Sequence, residues 1–155
     1  MTGAPGRTSA LLVLGAALAF QAPAPALGSG APAILLLTAY HRGFPWTDAE
    51  TQGALAVLRQ RWPEVHPFVE NLDRKRFPDA ESEARFRRYL REKYQSVPLA
   101  GLIVTDDAAL AFALKETEGP LANLPLSFAG VNGPVEALST RPRTTGVVEQ
   151  VDVAG

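Results

Sequence analysis

Side chains capable of binding or acid–base chemistry follow each of four predicted strands, at the point where the strand ends. They are three ring-bearing residues, an acid and a base, a pair of aspartates and an amide: Tyr40, His41 and Trp46, then Asp73 and Lys75, then Asp106 and Asp107, then Asn132. If the strands are parallel, their carboxyl ends meet at one edge of a sheet, where α/β proteins bind ligands. The spacing therefore predicts a ligand-binding site built from these eight residues.

Each of these residues also has an ordinary structural interpretation. Tyr40 and Trp46 fit core packing, or a cover over the first helix, as well as they fit ligand contact. His41 alone is more typical of a hydrogen-bonding loop residue than of a catalytic base. Asp106 is well placed as a helix N-cap, because a carboxylate there accepts an orphan amide and favours the positive end of the helix dipole. The charges of residues 73–76 would pair locally with little effect, since exposed ion pairs contribute about 0–1 kcal/mol.

Signatures of catalysis and of cofactor binding are missing from the chain. It has no Gly-x-Ser-x-Gly elbow, no His-Glu-x-x-His sequence and no cysteine, which leaves hydrolase chemistry unsupported and excludes thiolate metal sites. Two histidines, His41 and His66, are too few for a histidine-rich metal site. The loop after the first strand lacks the glycine-rich phosphate cradle of dinucleotide-binding and P-loop proteins. We therefore predict no catalytic residue, no metal and no cofactor.

The first 26 residues are typical of a secretory signal peptide. They carry one charge, Arg7, followed by the apolar run Leu11–Phe20 and the small-residue triplet Ala24–Ala26. The run is shorter than the roughly 20 residues that a membrane-spanning helix needs, so an uncleaved anchor is the weaker alternative. This leader predicts a periplasmic or other extracytoplasmic location, with residues 27–33 as a linker.

Length and net charge limit the number of domains and the kinds of partner that the chain can have. The 155 residues leave room for about one domain on the usual length prior. The net charge of −1 gives no indication of a nucleic-acid partner. The partner predicted instead is a small molecule, with a second lobe or a membrane-bound signalling or transport protein as a further candidate.

Hydrophobic periodicity predicts alternating strands and helices. We expect strands at 34–37, 65–72, 99–104 and 125–129, helices at 48–61, from 79 and from 108 to about 116, and a last extended segment at 145–153. Thr47–Glu50 has the spacing of a capping box at the start of the first helix. Pro67 places the second strand at a sheet edge, because proline has no amide to donate. This order predicts an α/β fold, a doubly wound parallel sheet forming a single flavodoxin-like lobe.

Five segments, in order along the chain, resemble the periplasmic ABC-transporter substrate-binding-like domains of the type I binding-protein fold. Such domains also serve as extracytoplasmic sensors of bacterial histidine kinases and diguanylate cyclases. The segments are Tyr40–Thr47, Asp73–Phe77, Ile103–Leu110, Phe128–Asn132 and Thr145–Glu149. The resemblance implies two α/β lobes that close about a hinge on small ligands, aromatic amino acids among them. It also implies that residues 34–133 are the first lobe, and that 134–155 are a crossover and strand leading toward a second lobe that is absent, so that the chain is a fragment.

Three functions stay open at this point. The first is an exported, non-catalytic ligand-binding domain in which the eight residues contact the ligand and lobe closure carries the signal. The second is a small flavodoxin-like enzyme that uses Asp106 and His41 as an acid–base pair. The third is an interaction module that buries its sheet edge against a partner. A phospho-acceptor receiver domain would also place an aspartate at Asp106, but the acidic pair it needs after the first strand is absent.

Overall fold

A single parallel sheet organises the protein. The computed structural model describes residues 31–133 and 141–149. Its elements are β1 (Ala33–Thr38), α1 (Pro45–Arg61), β2 (His66–Asn71), α2 (Ala80–Tyr94), β3 (Leu99–Thr105), α3 (Asp106–Leu114), β4 (Leu126–Val131) and β5 (Thr144–Val148). The strand order is β2-β1-β3-β4-β5, and every neighbouring pair is parallel. This confirms the predicted α/β fold with a doubly wound, flavodoxin-like sheet.

The central strands are apolar because both of their faces are covered. Leu35, Leu36 and Leu37 of β1 are fully buried, and successive side chains of a strand point to opposite faces. The main core joins Leu35 and Leu37 to buried residues of α2 and α3, including Tyr94 and Phe112. Burying one such leucine contributes about 1.5–3 kcal/mol, so this contiguous core is what holds the sheet edge in place.

β2 lies at the edge of the sheet, as Pro67 predicts. Its single buried residue, Glu70, is 8 % exposed and lies under α2. The Glu70 carboxylate accepts hydrogen bonds from the Tyr94 hydroxyl at 2.8 Å and from Lys93 Nζ at 2.6 Å. The Tyr89 hydroxyl lies 3.3 Å from the same oxygen. This network fastens α2 to the edge strand.

The first helix begins before the predicted start at residue 48, and the predicted capping box at Thr47–Glu50 is wrong. Phe44 is the N-cap and Pro45 occupies the first turn, where a missing amide costs nothing. Asp48 supplies the side chain that reaches back, because its carboxylate accepts from the Gly43 amide at 3.0 and 3.1 Å. Thr47 and Glu50 are therefore inside the helix, and their side chains are free to do something other than capping.

α2 begins where the sequence predicts. The Asp79 carboxylate accepts from the Ser82 amide at 2.7 Å, which is the usual N-cap geometry. Its inward face carries Leu90 and Tyr94, each 1 % exposed. Replacing a capping aspartate by alanine costs typically about 1 kcal/mol, so this helix has a defined start.

The start of α3 differs from the prediction. The helix begins at Asp106 rather than at Ala108, and Thr105 is its N-cap, without a capping side-chain hydrogen bond. Asp106 is not the predicted cap, because its backbone turns left-handed with a φ of 69°. A positive φ is uncommon for a residue with a side chain, although aspartate tolerates it better than most. The Asp106 carboxyl is thereby turned away from the helix amides.

Several predictions concern residues outside the described ranges. These are the signal peptide at 1–26, most of the linker at 27–33 and much of the crossover segment at 134–155. Within the described part, the predicted last extended segment forms β5 beside β4. None of the helices in the described ranges is long and apolar enough to cross a membrane.

Candidate functional site

The sheet has one point at which the chain leaves neighbouring strands in opposite directions. β1 is followed by β2 on one side, whereas its other neighbour, β3, is followed by β4 on the far side. At the carboxyl ends, Thr38 of β1 is opposite Thr105 of β3. In open α/β sheets the crevice beyond such a switch point is where ligands bind. The loop after β1 and the first turn of α3 form its two walls.

Aromatic rings and one lysine occupy the β1 wall. The rings of Tyr40 and Phe44 meet edge to face, with centroids 5.4 Å apart. The ammonium of Lys75 lies over both rings, 3.7 Å from the Phe44 centroid and 4.7 Å from the Tyr40 centroid. The structure therefore brings together Tyr40 and Lys75, two of the predicted site residues. It adds Phe44, which the sequence did not single out.

His41 and Asp73 lie side by side next to those rings. His41 Nδ1 is 3.2 Å from Asp73 Oδ1, within ion-pair distance but outside hydrogen-bond geometry. The same carboxylate accepts from Arg76 Nε at 3.0 Å, and Asp73 has a left-handed φ of 56°. Asp73 thus takes part in the local ion pairing expected of residues 73–76, and it also positions the His41 ring.

A pair of carboxyl groups forms the opposite wall. Asp106 is 8 % exposed and lies against Glu50 of α1. Burial, together with the negative charges of Glu50, Asp107 and Glu149, raises the pKa of Asp106 to about 7. Burial also raises the pKa of Glu50 above its ordinary value. Glu50 and Asp106 are close neighbours, and a proton on one of the two carboxyls relieves the repulsion between them.

Three buried oxygen atoms in this wall have no hydrogen-bond partner in the described part of the chain. They are Glu50 Oε2, Asp106 Oδ2 and Thr105 Oγ1. The Thr105 hydroxyl lies close enough to the Glu50 carboxylate to lower its pKa, although it does not reach full hydrogen-bond geometry. Buried polar atoms are almost always paired in native proteins, so three unpaired acceptors in one place require an explanation.

Gly130 lets β4 approach this pair closely. It has a φ of 66°, and a Cβ atom at this position would collide with Glu50 Oε1. Glycine is the residue that adopts such a conformation without strain, and it leaves room for the carboxylate. The carboxyl pair is therefore enclosed on the β4 side by backbone alone.

The remaining predicted residues divide between structural and exposed positions. Asp107 accepts from the backbone amides of Asn132, at 3.2 Å, and Gly133, at 2.9 Å, so it ties the loop after β4 to α3. The Asn132 side chain is exposed, with Nδ2 3.5 Å from the Gly130 carbonyl oxygen. Trp46 is 48 % exposed, and its indole lies near the Glu50 carboxyl and lowers the pKa of that group.

The charges of the carboxyl wall act on the aromatic wall, so the two belong to one site. Burial raises the pKa of the Tyr40 hydroxyl, and the charges of Asp106, Asp107 and Glu50 raise it further. The loop after β1 therefore lies within the field of the carboxyl pair. Among the described residues, no group of three or more histidine, aspartate or glutamate side chains is arranged to hold a metal ion.

Sequence reasoning missed Glu50, Thr105, Phe44 and Gly130. Glu50 was assigned to a capping box, which gave its carboxylate a local role and hid the tertiary one. Thr105 carried a usable signal, since a polar residue that ends an otherwise apolar strand points to the carboxyl edge of the sheet. The closeness of Gly130 to Glu50 depends on how β4 packs, and no local pattern records it.

The fold and the site define a class: a doubly wound α/β protein with a buried carboxyl pair at its switch point. Comparison with known proteins adds no closer likeness, since no family model, no curated protein and no solved structure matches the chain. The functional argument therefore rests on the geometry described above.

Proposed function

We propose that this chain is an exported small-molecule-binding lobe of the sensor or transport type, with its ligand site at the carboxyl ends of β1 and β3. The observation that carries the proposal is Asp106, a buried carboxyl on a left-handed backbone at the switch point. Its Oδ2 atom has no partner among the described residues. Strained backbone and unpaired buried groups cost stability, and they cluster where proteins bind or react with ligands.

The aromatic wall supports the same proposal. Tyr40 and Phe44 present apolar ring surface, and Trp46 stands half exposed beside Glu50. Pockets for small molecules typically combine apolar and aromatic surface with a few polar groups that fix orientation. In this proposal, binding shifts an equilibrium between open and closed lobes, and a second lobe or a membrane-bound partner receives the change.

The test is thermal unfolding of the purified protein with a panel of free amino acids, amines, sugars and organic acids. We expect at least one compound to raise Tm in a saturable way, because a ligand that binds only the folded state stabilises it. Asp106→Asn keeps the shape and tolerates a positive φ, and it should abolish that shift. Glu92→Gln is the matched control, since Glu92 is an exposed carboxylate on α2. An unchanged shift in Asp106→Asn would place the site elsewhere.

A small enzyme is the second candidate, because one observation favours it. The pKa of Asp106, raised to about 7, suits a general acid or base at neutral pH. The acid–base pair expected with His41 is not the closest pairing, since His41 lies at Asp73 and Asp106 lies at Glu50. Chemical turnover of a panel compound, lost in Asp106→Asn, would favour the enzyme over the binding lobe.

An interaction module is the third candidate. The edge strand β5 leaves Val147 67 % exposed, and an exposed apolar edge is a common place for a partner to pair. Self-association of the purified protein on gel filtration, abolished by Val147→Lys, would favour this function.

A further inference from the structure

The unpaired atoms at the carboxyl pair have a common chemistry. Glu50 Oε2, Asp106 Oδ2 and Thr105 Oγ1 are all able to accept a hydrogen bond, and none has a donor within the described ranges. Thr105 is 2 % exposed, and its hydroxyl lies beside the Glu50 carboxylate. A ligand group that satisfied this set would have to bring several N–H or O–H donors together at one point.

The charge at this point also lacks a counterpart. Of the three buried acidic residues in the described part, Glu70 pairs with Lys93, and Glu116 pairs with Arg87 and Arg91. Asp106 has no basic partner among the ion pairs of the described residues; its charged neighbours are Glu50, Asp107 and Glu149. Buried charges are ordinarily paired, so an ionised Asp106 would need a cation beside it.

We propose that Glu50, Asp106 and Thr105 bind the ammonium group of a small organic amine, which displaces the proton held by one of the two carboxyls. The inference rests on the proposed function, because it names the class of ligand for the same site. An ammonium has three donors and no acceptor, which matches three unpaired acceptors. A divalent metal fits less well, since Ca²⁺ takes 6–8 oxygen ligands and Mg²⁺ about six.

The rest of the ligand is an aromatic or apolar body. Trp46 lies near Glu50 and is half exposed, so a body attached to the ammonium would lie against the indole. The rings of Tyr40 and Phe44 already hold one ammonium, that of Lys75, over their faces. Cation–π attraction of this kind is worth about 0.5–2 kcal/mol. The walls of the crevice are therefore suited to an arylalkylamine.

Because the ammonium replaces a proton, the affinity for the amine should depend on pH. The groups facing Asp106 are Glu50 from α1, Asp107 from α3, Glu149 after β5 and the Tyr40 hydroxyl after β1. The three carboxylates favour the protonated form of Asp106 in the free protein, whereas the Tyr40 hydroxyl is neutral near pH 7 and brings no counter-charge. Binding an ammonium ionises both carboxyls, and the displaced proton leaves to solvent. Affinity should therefore rise by up to about tenfold per pH unit below about pH 7 and level off above it.

The experiment is isothermal titration with phenethylamine, using 2-phenylethanol as the neutral compound of matched shape. Titrations at about pH 6 in two buffers of different ionisation enthalpy count the protons released. We expect saturable binding of phenethylamine, release of close to one proton, and no binding of 2-phenylethanol. No saturable phenethylamine binding, equal binding of the alcohol, or binding without proton release would overturn the proposal.

Glu50→Gln assigns the effect to this pair. The amide keeps the shape that packs against Gly130 and removes the charge. We expect at least about a tenfold loss of phenethylamine affinity, which corresponds to about 1.4 kcal/mol. Glu92→Gln should bind as the unmodified protein does, and an equal loss in both variants would count against the assignment.

Two further outcomes separate this inference from the proposed function. If neutral or anionic compounds of the wider panel bind in a way that requires Asp106, the amine class is wrong while the binding lobe stands. If Ca²⁺ gives the response expected of the amine and competes with it, the site is a cation site of a different class, and the amine assignment is likewise overturned.

Discussion

Two buried carboxyl groups, Glu70 in β2 and Asp106 at the end of β3, have the same exposure and opposite surroundings. Each is 8 % exposed. Glu70 accepts from the Tyr94 hydroxyl and from Lys93, and it joins α2 to the sheet. Asp106 faces three other carboxylates, and its Oδ2 atom has no partner in the part of the chain that the structure describes. Burial alone therefore says little about what an acidic residue does.

The two acids differ in what offsets the free-energy cost of burying a carboxylate. Removing a carboxylate from water costs several kcal/mol, and good hydrogen bonds and an opposite charge offset that cost at Glu70. At Asp106 the cost is met by keeping a proton, which is why burial raises its pKa to about 7. Glu70 is a structural acid, whereas Asp106 lowers the stability of the fold around it. A residue that destabilises its own fold is a candidate for function.

The largest loss of stability is expected from replacing Glu70, the acid whose burial is compensated by its partners. Glu70→Ala leaves the buried Tyr94 hydroxyl without its acceptor and Lys93 without its counter-charge. Breaking a buried pair in this way costs about 3–5 kcal/mol, and the lower end applies because Lys93 is partly exposed. Urea unfolding measures the change, with Glu92→Ala as control. A loss no greater than that of the control would mean that the Glu70 network contributes little.

At Asp106 we expect the opposite result, because replacing this acid should raise the free energy of unfolding. The unfolded aspartate has a pKa near 3.9 and the folded one about 7, so between these values only the folded state holds the proton. Stability then falls as pH rises from about 4 to about 7 and is level above. Asp106→Asn does not titrate, so it should be up to about 4 kcal/mol more stable than the unmodified protein near pH 8, and nearly equal near pH 4.

Urea unfolding of both proteins across that pH range checks the second prediction. The informative quantity is the difference between the two curves, because titrating groups away from the Glu50–Asp106 pair contribute equally to both. A difference that does not grow with pH would mean that Asp106 ionises normally, and the contrast with Glu70 would lose its basis.

A smaller loss of stability is expected from replacing Gly130, where β4 approaches the Glu50 and Asp106 carboxyls. Gly130→Ala places a methyl group against the Glu50 carboxylate at a left-handed φ, and we expect a loss of about 1–3 kcal/mol. Gly53→Ala is the matched control, because a Cβ there meets no atom within 4 Å and the helix interior favours alanine by about 1 kcal/mol. If Glu50→Ala in the Gly130→Ala background restores no stability, the clash with the carboxylate is not the cause.

The smallest effect concerns one hydrogen bond of the Glu70 network. Tyr94→Phe removes the hydroxyl that donates to Glu70 at 2.8 Å and leaves the ring in the core. Lys93 still compensates the carboxylate, so the expected loss is about 1 kcal/mol. Thermal unfolding measures it. A loss as large as that of Glu70→Ala would show that the hydroxyl, rather than the lysine, is the main partner.

The sequence was informative wherever the signal is local or periodic. The leucines of β1 predicted a central strand because both faces of such a strand are covered, and Pro67 predicted an edge because it cannot donate to a neighbour. The predicted start of α2 at residue 79 was correct, since the signals that start a helix involve only the next few residues. These features gave the fold class and the edge of the sheet that carries the predicted site residues.

The sequence-based predictions were wrong where a residue type that often caps helices makes a tertiary contact instead. Thr47 and Glu50 have capping-box spacing, yet Pro45 starts the helix earlier and Asp48 reaches back in their place. Asp106 precedes a helix as a cap would, yet its left-handed backbone turns the carboxyl toward Glu50. The distance between residues 50 and 106 along the chain explains the omission, because only the packed sheet brings them together.

The parallel pairing of every strand has a consequence for how the chain is made. β1 is the first strand to be synthesised, but its neighbours are β2 and β3, and no two adjacent strands can close as a hairpin. The growing chain therefore carries β1 with one edge unpaired until residue 105 has been added. Non-local pairing of this kind makes folding slow and leaves the leucines of β1 open to aggregation while β3 is still missing.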